Sequence, residues 1–240
     1  MDTVVKFNGI SLTDVAPVEI LNITVSKPEL IITRIEKPTG NGSRFVRRQY
    51  GPRYVTVEFV LPVEDAEERA DYMNAIMEWA DGEEPAALKL QKHAGYLMAN
   101  LYEASEKTDR DWAEPLSIVF ECGNPEYNAD NEDAVDCGVS FQVQKNIAPA
   151  WRIEAVYAST QTSPSWTMDG ATIALSGSIA AGTLIIDGET KSITLDGESV
   201  MDQLTIASRF FEDADGKSLL TKGAHEITGG GAFYWRERWI

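Results

Sequence analysis

Two histidines, two cysteines and a surplus of carboxylates are the side chains that could do chemistry in this chain. His93 and His225 stand far apart, without the serine or cysteine neighbours that would make either one a base in a nucleophilic site. No serine sits in a Gly-x-Ser-x-Gly elbow, and no glycine-rich loop carries the lysine of a phosphate cradle. Gly229-Gly230-Gly231 fits neither pattern and reads as a flexible turn before a final strand. Cys122 and Cys137 lack the second pair a zinc site needs. Whether they form a disulfide stays open at this level. The most metal-like string is Asp213-Ala214-Asp215-Gly216. Set on a calcium-loop template it puts Phe211 at the first ligand position and Lys222 where the bidentate glutamate belongs, so it reads as a surface turn. With 38 Asp and Glu residues, a glycosidase pair could be picked almost anywhere and therefore has no specificity. The expectation is no catalytic residue, no metal site and no cofactor.

Binding is a better prospect than catalysis. Trp151, Trp166, Trp235 and Trp239 could stack on sugar rings. Trp235 and Trp239 alternate within a strand and read as core. Trp166 follows Ser163-Pro164-Ser165 and is expected to be exposed, as a carbohydrate-binding residue. The net charge of −17 argues against non-specific binding to nucleic acid or to an anionic membrane, both of which need a cationic surface. Against that background Arg44, Arg47, Arg48 and Arg53 stand out around Gly40-Asn41-Gly42. They form either a solvated hairpin that balances local charge or a contact arm reaching an acidic neighbour, such as another copy of the chain.

The elements that would position these residues are mostly strands. Tyr54–Leu90 reads strand, helix, strand. Val55, Val57, Phe59 and Leu61 form an apolar row of period two. Carboxylates at 64, 65, 67 and 68 precede a helix, where they suit the positive end of its dipole. Ala66, Ala70, Met73, Ile76, Met77 and Ala80 form its stripe, with Asp81-Gly82 as the stop. Asn8-Gly9 marks a hairpin turn, and Leu30–Ile35 another short strand. Leu116–Cys122 and Val139–Val143 alternate as well. Asn146–Pro149 reads as a linker. Beyond it, short strands recur between turn signals such as Asp187-Gly188 and Asp196-Gly197, as in an all-β sandwich. The chain thus divides into a β-rich domain with one helix (1–148) and a smaller all-β domain (149–240). Both are acidic: 26 acidic residues against 14 basic in the first, 12 against 7 in the second. The Met-Asp-Thr start shows no basic-then-apolar leader, so synthesis in a cytoplasm with reduced thiols is the expectation. No apolar run approaches the roughly 20 residues of a membrane span.

The order of several short motifs resembles the distal tail protein family of long-tailed siphophages. Phe7-Asn8-Gly9 with Ser11-Leu12 opens the series. Gly40-Asn41-Gly42 follows, then Arg48-x-x-Gly51-x-Arg53 before an apolar strand. The helix ending at Trp79 precedes Leu88-x-Leu90 and Tyr96-x-Met98-Ala99. Phe120-Glu121-Cys122 precedes Pro125-Glu126-Tyr127. Later come Gly182-Thr183-Leu184-Ile185-Ile186-Asp187, Asp196-Gly197, Leu219-Leu220, Gly223 and a closing strand of aromatics and arginines. Lys222-Gly223-Ala224-His225 departs from the Pro-Gly-Asn usual there. The resemblance implies a mainly β (α+β) fold: an N-terminal β-sandwich-like domain with one helix and a projecting β-hairpin, then a galectin-like C-terminal β-sandwich. It implies a non-enzymatic virion protein of the tail tip, made in the bacterial host. Its partners would be copies of itself in six-fold rings (single or back to back), the tail tube protein, the tail-associated baseplate hub protein and, in some members, a receptor-binding protein. DNA would only pass through the lumen. Arg44, Arg47, Arg48 and Arg53 would then lie at the subunit interface. The alternative is a carbohydrate-binding module for host-surface adsorption.

Overall fold

A computed structural model describes residues 4–36, 43–104, 114–145 and 147–240. The chain forms two compact units, Met1–Tyr127 and Asn128–Ile240. The first opens with β1 (Val5–Phe7), β2 (Ile10–Ser11) and a single turn of helix, α1 (Leu12–Val15), that sequence reading passed over. Asn8 and Gly9 both take positive φ, 49° and 81°, which is the backbone a two-residue hairpin turn requires. Next come β3 (Glu19–Val25), β4 (Leu30–Glu36), β5 (Ser43–Tyr50) and β6 (Arg53–Val60), then α2 (Ala66–Ala80), β7 (Ala86–Leu90), β8 (Leu97–Ala104) and β9 (Leu116–Cys122). Seven of these strands make one sheet in the order β2-β1-β7-β8-β9-β6-β3. The sheet folds back on itself, because Phe7 on β1 meets Phe120 on β9 with ring centroids 5.1 Å apart although two strands separate them. β8 serves both halves: Leu97–Ala99 pairs with β7, and from Asn100 onward the strand pairs with β9, with a bulge between Leu101 and Glu103.

Helix α2 begins where the carboxylates predict. The Asp65 side chain accepts hydrogen bonds from the Glu67 and Glu68 amides, 2.9 Å each. Its second half is the part that packs. Ile76 and Ala80 are buried, and Trp79 lies edge-on to Phe7 and Phe120 while its indole N–H donates to the Ile10 carbonyl at 3.2 Å. Ala66 and Ala70, expected in the buried stripe, are exposed. The apolar row of β6 is as read: Val55, Val57, Phe59 and Leu61 are fully buried.

The second unit contains β11 (Asp133–Asp136), β12 (Ser140–Val143), β13 (Ile147–Tyr157), β14 (Gln161–Thr162), β15 (Ser165–Met168), β16 (Ala171–Ala174), β17 (Ser178–Ile179), β18 (Gly182–Asp187), β19 (Ser192–Leu195), β20 (Glu198–Ser199), β21 (Gly223–Glu226) and β22 (Ala232–Trp239). Its main sheet runs β22-β13-β18-β19-β20, with β11 and the short β10 (Tyr127–Asn128) also on β22. β12–β21, β14–β17 and β15–β16 are separate two-stranded pieces. Aromatics fill the core: Trp151, Trp166, Phe211, Phe233 and Trp235, with Phe141 4.7 Å from Trp235. Two expectations are corrected here. Ile147–Pro149 is the start of β13 and not a linker. Gly229–Gly231 is a packed loop and not a loose turn: a Cβ on Gly229 would lie 2.3 Å from Trp166 Cδ1, and one on Gly231 would lie 2.3 Å from the Glu154 carbonyl oxygen. Glu237, in the inward row of β22, is buried and accepts from the Gln144 and Lys145 amides at 2.8 and 3.0 Å.

Candidate functional site

The feature that its own unit leaves uncovered is the β4–β5 arm. The two strands pair only with each other, from Leu30↔Tyr50 to Glu36↔Ser43. Residues 43–50, read from sequence as part of a hairpin or contact arm, form the strand that pairs with β4, with Val46 left over at the register shift between Thr33 and Arg34. Residues 37–42, including the Gly-Asn-Gly string, lie outside the described residues. The root is firmly tied. Gly51 N–H donates to the Glu29 carbonyl at 2.8 Å, Ser26 N–H to the Tyr54 carbonyl at 2.9 Å, and Tyr54 N–H to Ser26 Oγ at 2.8 Å. Ile31 through Ile35 are all exposed, Ile35 at 59%, and so are Leu30 and Val46. Such a run of exposed aliphatic residues is a mark of an interaction surface.

The four arginines do not share one environment. Arg47 is exposed on the arm. Arg44 and Arg48 occupy register positions opposite Ile35 and Ile32; their side chains fall outside the described residues. Arg53 is not on the arm. It opens β6 in the same inward row as Val55, and is buried with its guanidinium 4.8 Å from the centroid of the Tyr127 ring. His93 stacks on that same ring at 5.5 Å. Burial raises the Tyr127 phenol, an effect the Arg53 charge partly offsets. The parity of Arg53 with the apolar row was the signal available in sequence.

Trp166 is likewise corrected. It is fully buried, and its indole N–H donates to the Gly230 carbonyl at 2.7 Å, so neither ring face is open to a sugar. The histidines are engaged structurally. His225 Nδ1 meets Asp169 Oδ2 at 2.8 Å and Nε2 meets the Thr221 carbonyl at 2.6 Å, which leaves the ring no nitrogen for a nucleophile. Cys122 and Cys137 are free thiols, pushed up by burial to about 12 and about 11. Asp213 Oδ1 accepts from the amides of Asp215 and Lys217, and these bonds hold its carboxyl below the usual range. A shallow cleft of about 110 Å³ beside Ile20, Leu21 and His93 falls short of the ~300 Å³ at which ligand pockets begin.

Residues 146–239 match the family described as siphovirus-type tail component, C-terminal domain. No curated protein matches the sequence. Among solved structures, the Dit protein (gp 19.1) of phage SPP1 superposes with a TM-score of 0.79 and 13% identity, covering 99% of this chain and 99% of that one. That protein is described as a paradigm of the hub adsorption apparatus in phages that infect Gram-positive bacteria. A chain of the phage p2 baseplate in its activated conformation gives a TM-score of 0.49 and 11% identity over 98% and 97% of the two chains. The second unit of this chain is therefore matched by the C-terminal domain of the siphovirus-type tail components, and nearly its whole length has the fold of SPP1 Dit.

Proposed function

We propose that this chain is a structural protein of the tail tip of a long-tailed phage, a distal tail protein whose copies close into a six-fold ring between the tail tube and the baseplate hub protein. The observation that carries the reading is the likeness to SPP1 Dit along nearly the whole chain, joined to the family match over residues 146–239. The first unit makes the ring and the second faces the remaining tail-tip proteins; the division falls at Tyr127/Asn128, upstream of the 148/149 expected from sequence, because Ile147–Pro149 belongs to β13. The exposed arm supports the ring: a ribbon of aliphatic residues and arginines needs a covering surface. The net charge of −17 supports a conduit, because an acidic lumen repels the phosphates of passing DNA. The role is structural rather than catalytic, since both histidines are committed to internal contacts.

Mass measurement and negative-stain images of the purified full chain test this. Six-copy rings, single or stacked back to back, are the expected result. A chain that stays monomeric at high concentration, with and without tail tube and hub proteins, refutes it.

A further inference from the structure

The cleft of about 110 Å³ beside β3 is too small for a free ligand, yet its lining is not neutral. Leu21, Ile23 and Leu90 wall it, and Asn22, Lys92 and His93 supply its polar edge. No carboxylate lines it among the described residues, although the chain holds 38 Asp and Glu. Glu58, tied to Asn22 Nδ2 at 3.3 Å, stands outside the lining. Lys92 is exposed and has no ion-pair partner among the described residues. His93 commits one nitrogen inward: Nδ1 meets the Tyr127 phenol oxygen at 3.2 Å, with the two rings 8° from parallel. The buried Arg53 guanidinium, over the same ring, also donates toward that oxygen, and it can accept nothing in return. The phenol's own proton is therefore the one left for His93 Nδ1, so the neutral imidazole carries its proton on Nε2. A charged imidazole carries one there as well. Nε2 is thus a donor in either state, with no partner of its own among the described residues.

We infer that this cleft is a socket for one acidic side chain, a glutamate or aspartate that a partner protein presents to Lys92 and His93. The occupant follows from charge and shape. Lys92 brings an unpaired cation to a rim without carboxylates, and His93 brings a donor of fixed identity, so a carboxylate complements both. The aliphatic walls suit the short methylene stem behind that carboxylate, which a phosphate group lacks. Arg53 and Tyr127 do not line the cleft. They are positioning residues, which act by deciding where the His93 proton sits. All of these residues belong to the first unit of a single copy, so the socket does not depend on a six-fold ring.

Nuclear magnetic resonance of the full chain with nitrogen-labelled imidazoles tests this, since the sequence holds only His93 and His225. His225, with both nitrogens engaged, is the internal control. Long-range nitrogen–proton spectra should show neutral His93 in the Nε2–H form. A blocked Gly-Glu-Gly peptide should shift His93 and not His225, saturating at about millimolar concentrations, while the Gly-Gln-Gly peptide should not. Lys92→Ala should weaken the glutamate peptide about two- to fivefold. Tyr127→Phe keeps the ring against Arg53 and His93 but has no proton to give. It should mix the His93 tautomers and weaken the peptide about two- to tenfold, although position 127 does not touch the cleft. The inference is overturned if the parent shows His93 in the Nδ1–H form, a result that needs no variant to fold. It is overturned too if the glutamine peptide binds equally, or if no saturable shift appears by about 50 mM peptide. Acetate or inorganic phosphate held as tightly as the glutamate peptide would make the cleft a free-anion site and not a socket. A folded Tyr127→Phe with parental tautomer and affinity would remove the positioning role.

Discussion

Replacing Trp166 decides between a sugar-stacking platform and a core anchor. The indole has no exposed surface, its N–H is bound to the Gly230 carbonyl at 2.7 Å, and Gly229 lies against its edge too closely to admit a Cβ. Trp166→Ala removes a fully packed ring, a change that costs about 3–5 kcal/mol in cores. The carbonyl left without its donor pushes the loss toward the upper end. Set against the roughly 5–15 kcal/mol that holds a typical domain together, the second unit would become marginal. Trp166→Phe keeps most of the ring and drops the N–H, for about 1–3 kcal/mol. Urea unfolding followed by tryptophan fluorescence suits the question, since four of the six tryptophans lie in the second unit. Hydrogen exchange in the β15–β16 hairpin localises the loss. A shift below about 0.5 kcal/mol for the alanine variant, as at an ordinary surface position, would refute the packing argument. So would a fully stable variant that had lost a glycan response present in the parent.

Other outcomes follow from the same contacts. Gly231→Ala places a methyl 2.3 Å from the Glu154 carbonyl at φ +94° and should cost about 2–4 kcal/mol in thermal melting, whereas Gly197→Ala, with φ +88° but open surroundings, should cost about 1–2. Asp65→Ala removes the acceptor for two α2 amides and should lower stability by about 1 kcal/mol, with Asp65→Asn close to the parent. The thiols set an alkaline limit. Cys122 and Cys137 keep their protons when folded up to about pH 12 and 11, but release them above about 9 when unfolded, so their contribution is whole below pH 9 and drains away as pH rises beyond it. At pH 8 a disulfide reagent should modify Cys137 slowly and Cys122 only after unfolding; rapid modification of native Cys122 would contradict its burial.

Local patterns were legible where the partner lies nearby or the period is strict. The β6 row, the start of α2 and the Asn8-Gly9 hairpin are of that kind; α2 stops where Asp81-Gly82 predicts, but through an extended Asp81 and not a left-handed glycine. Position 53 shows the limit: Arg53 shares the parity of Val55, yet its charge argued for the surface, and it is buried against the Tyr127 ring, which is remote in sequence. Strand β5 was legible only through the turn signal Gly40-Asn41-Gly42, because its arginines suppress any apolar alternation while the ladder to β4 depends on backbone alone. Pro149 suggested a break. It sits in the irregularity of β13 between Ile147 and Ala150, where its missing N–H is tolerated. Trp166 was judged by its serine and proline neighbours, but its partner, Gly230, is remote in sequence. Glu237 shares the parity of Phe233 and Trp235, but its partners were not legible, since Gln144 and Lys145 supply their amides from far upstream.

The placement of β22 has a consequence for the order of manufacture. This strand lies beside β13 and carries Phe233 and Trp235 into the aromatic core, yet it leaves the ribosome after every other strand. Until it emerges, β13 has an open edge and the second unit has no finished interior. The first unit, whose sheet is complete once β9 has been made, can fold while its downstream half is still being translated. On each nascent chain the β4–β5 arm would thus be in place before the second unit is finished.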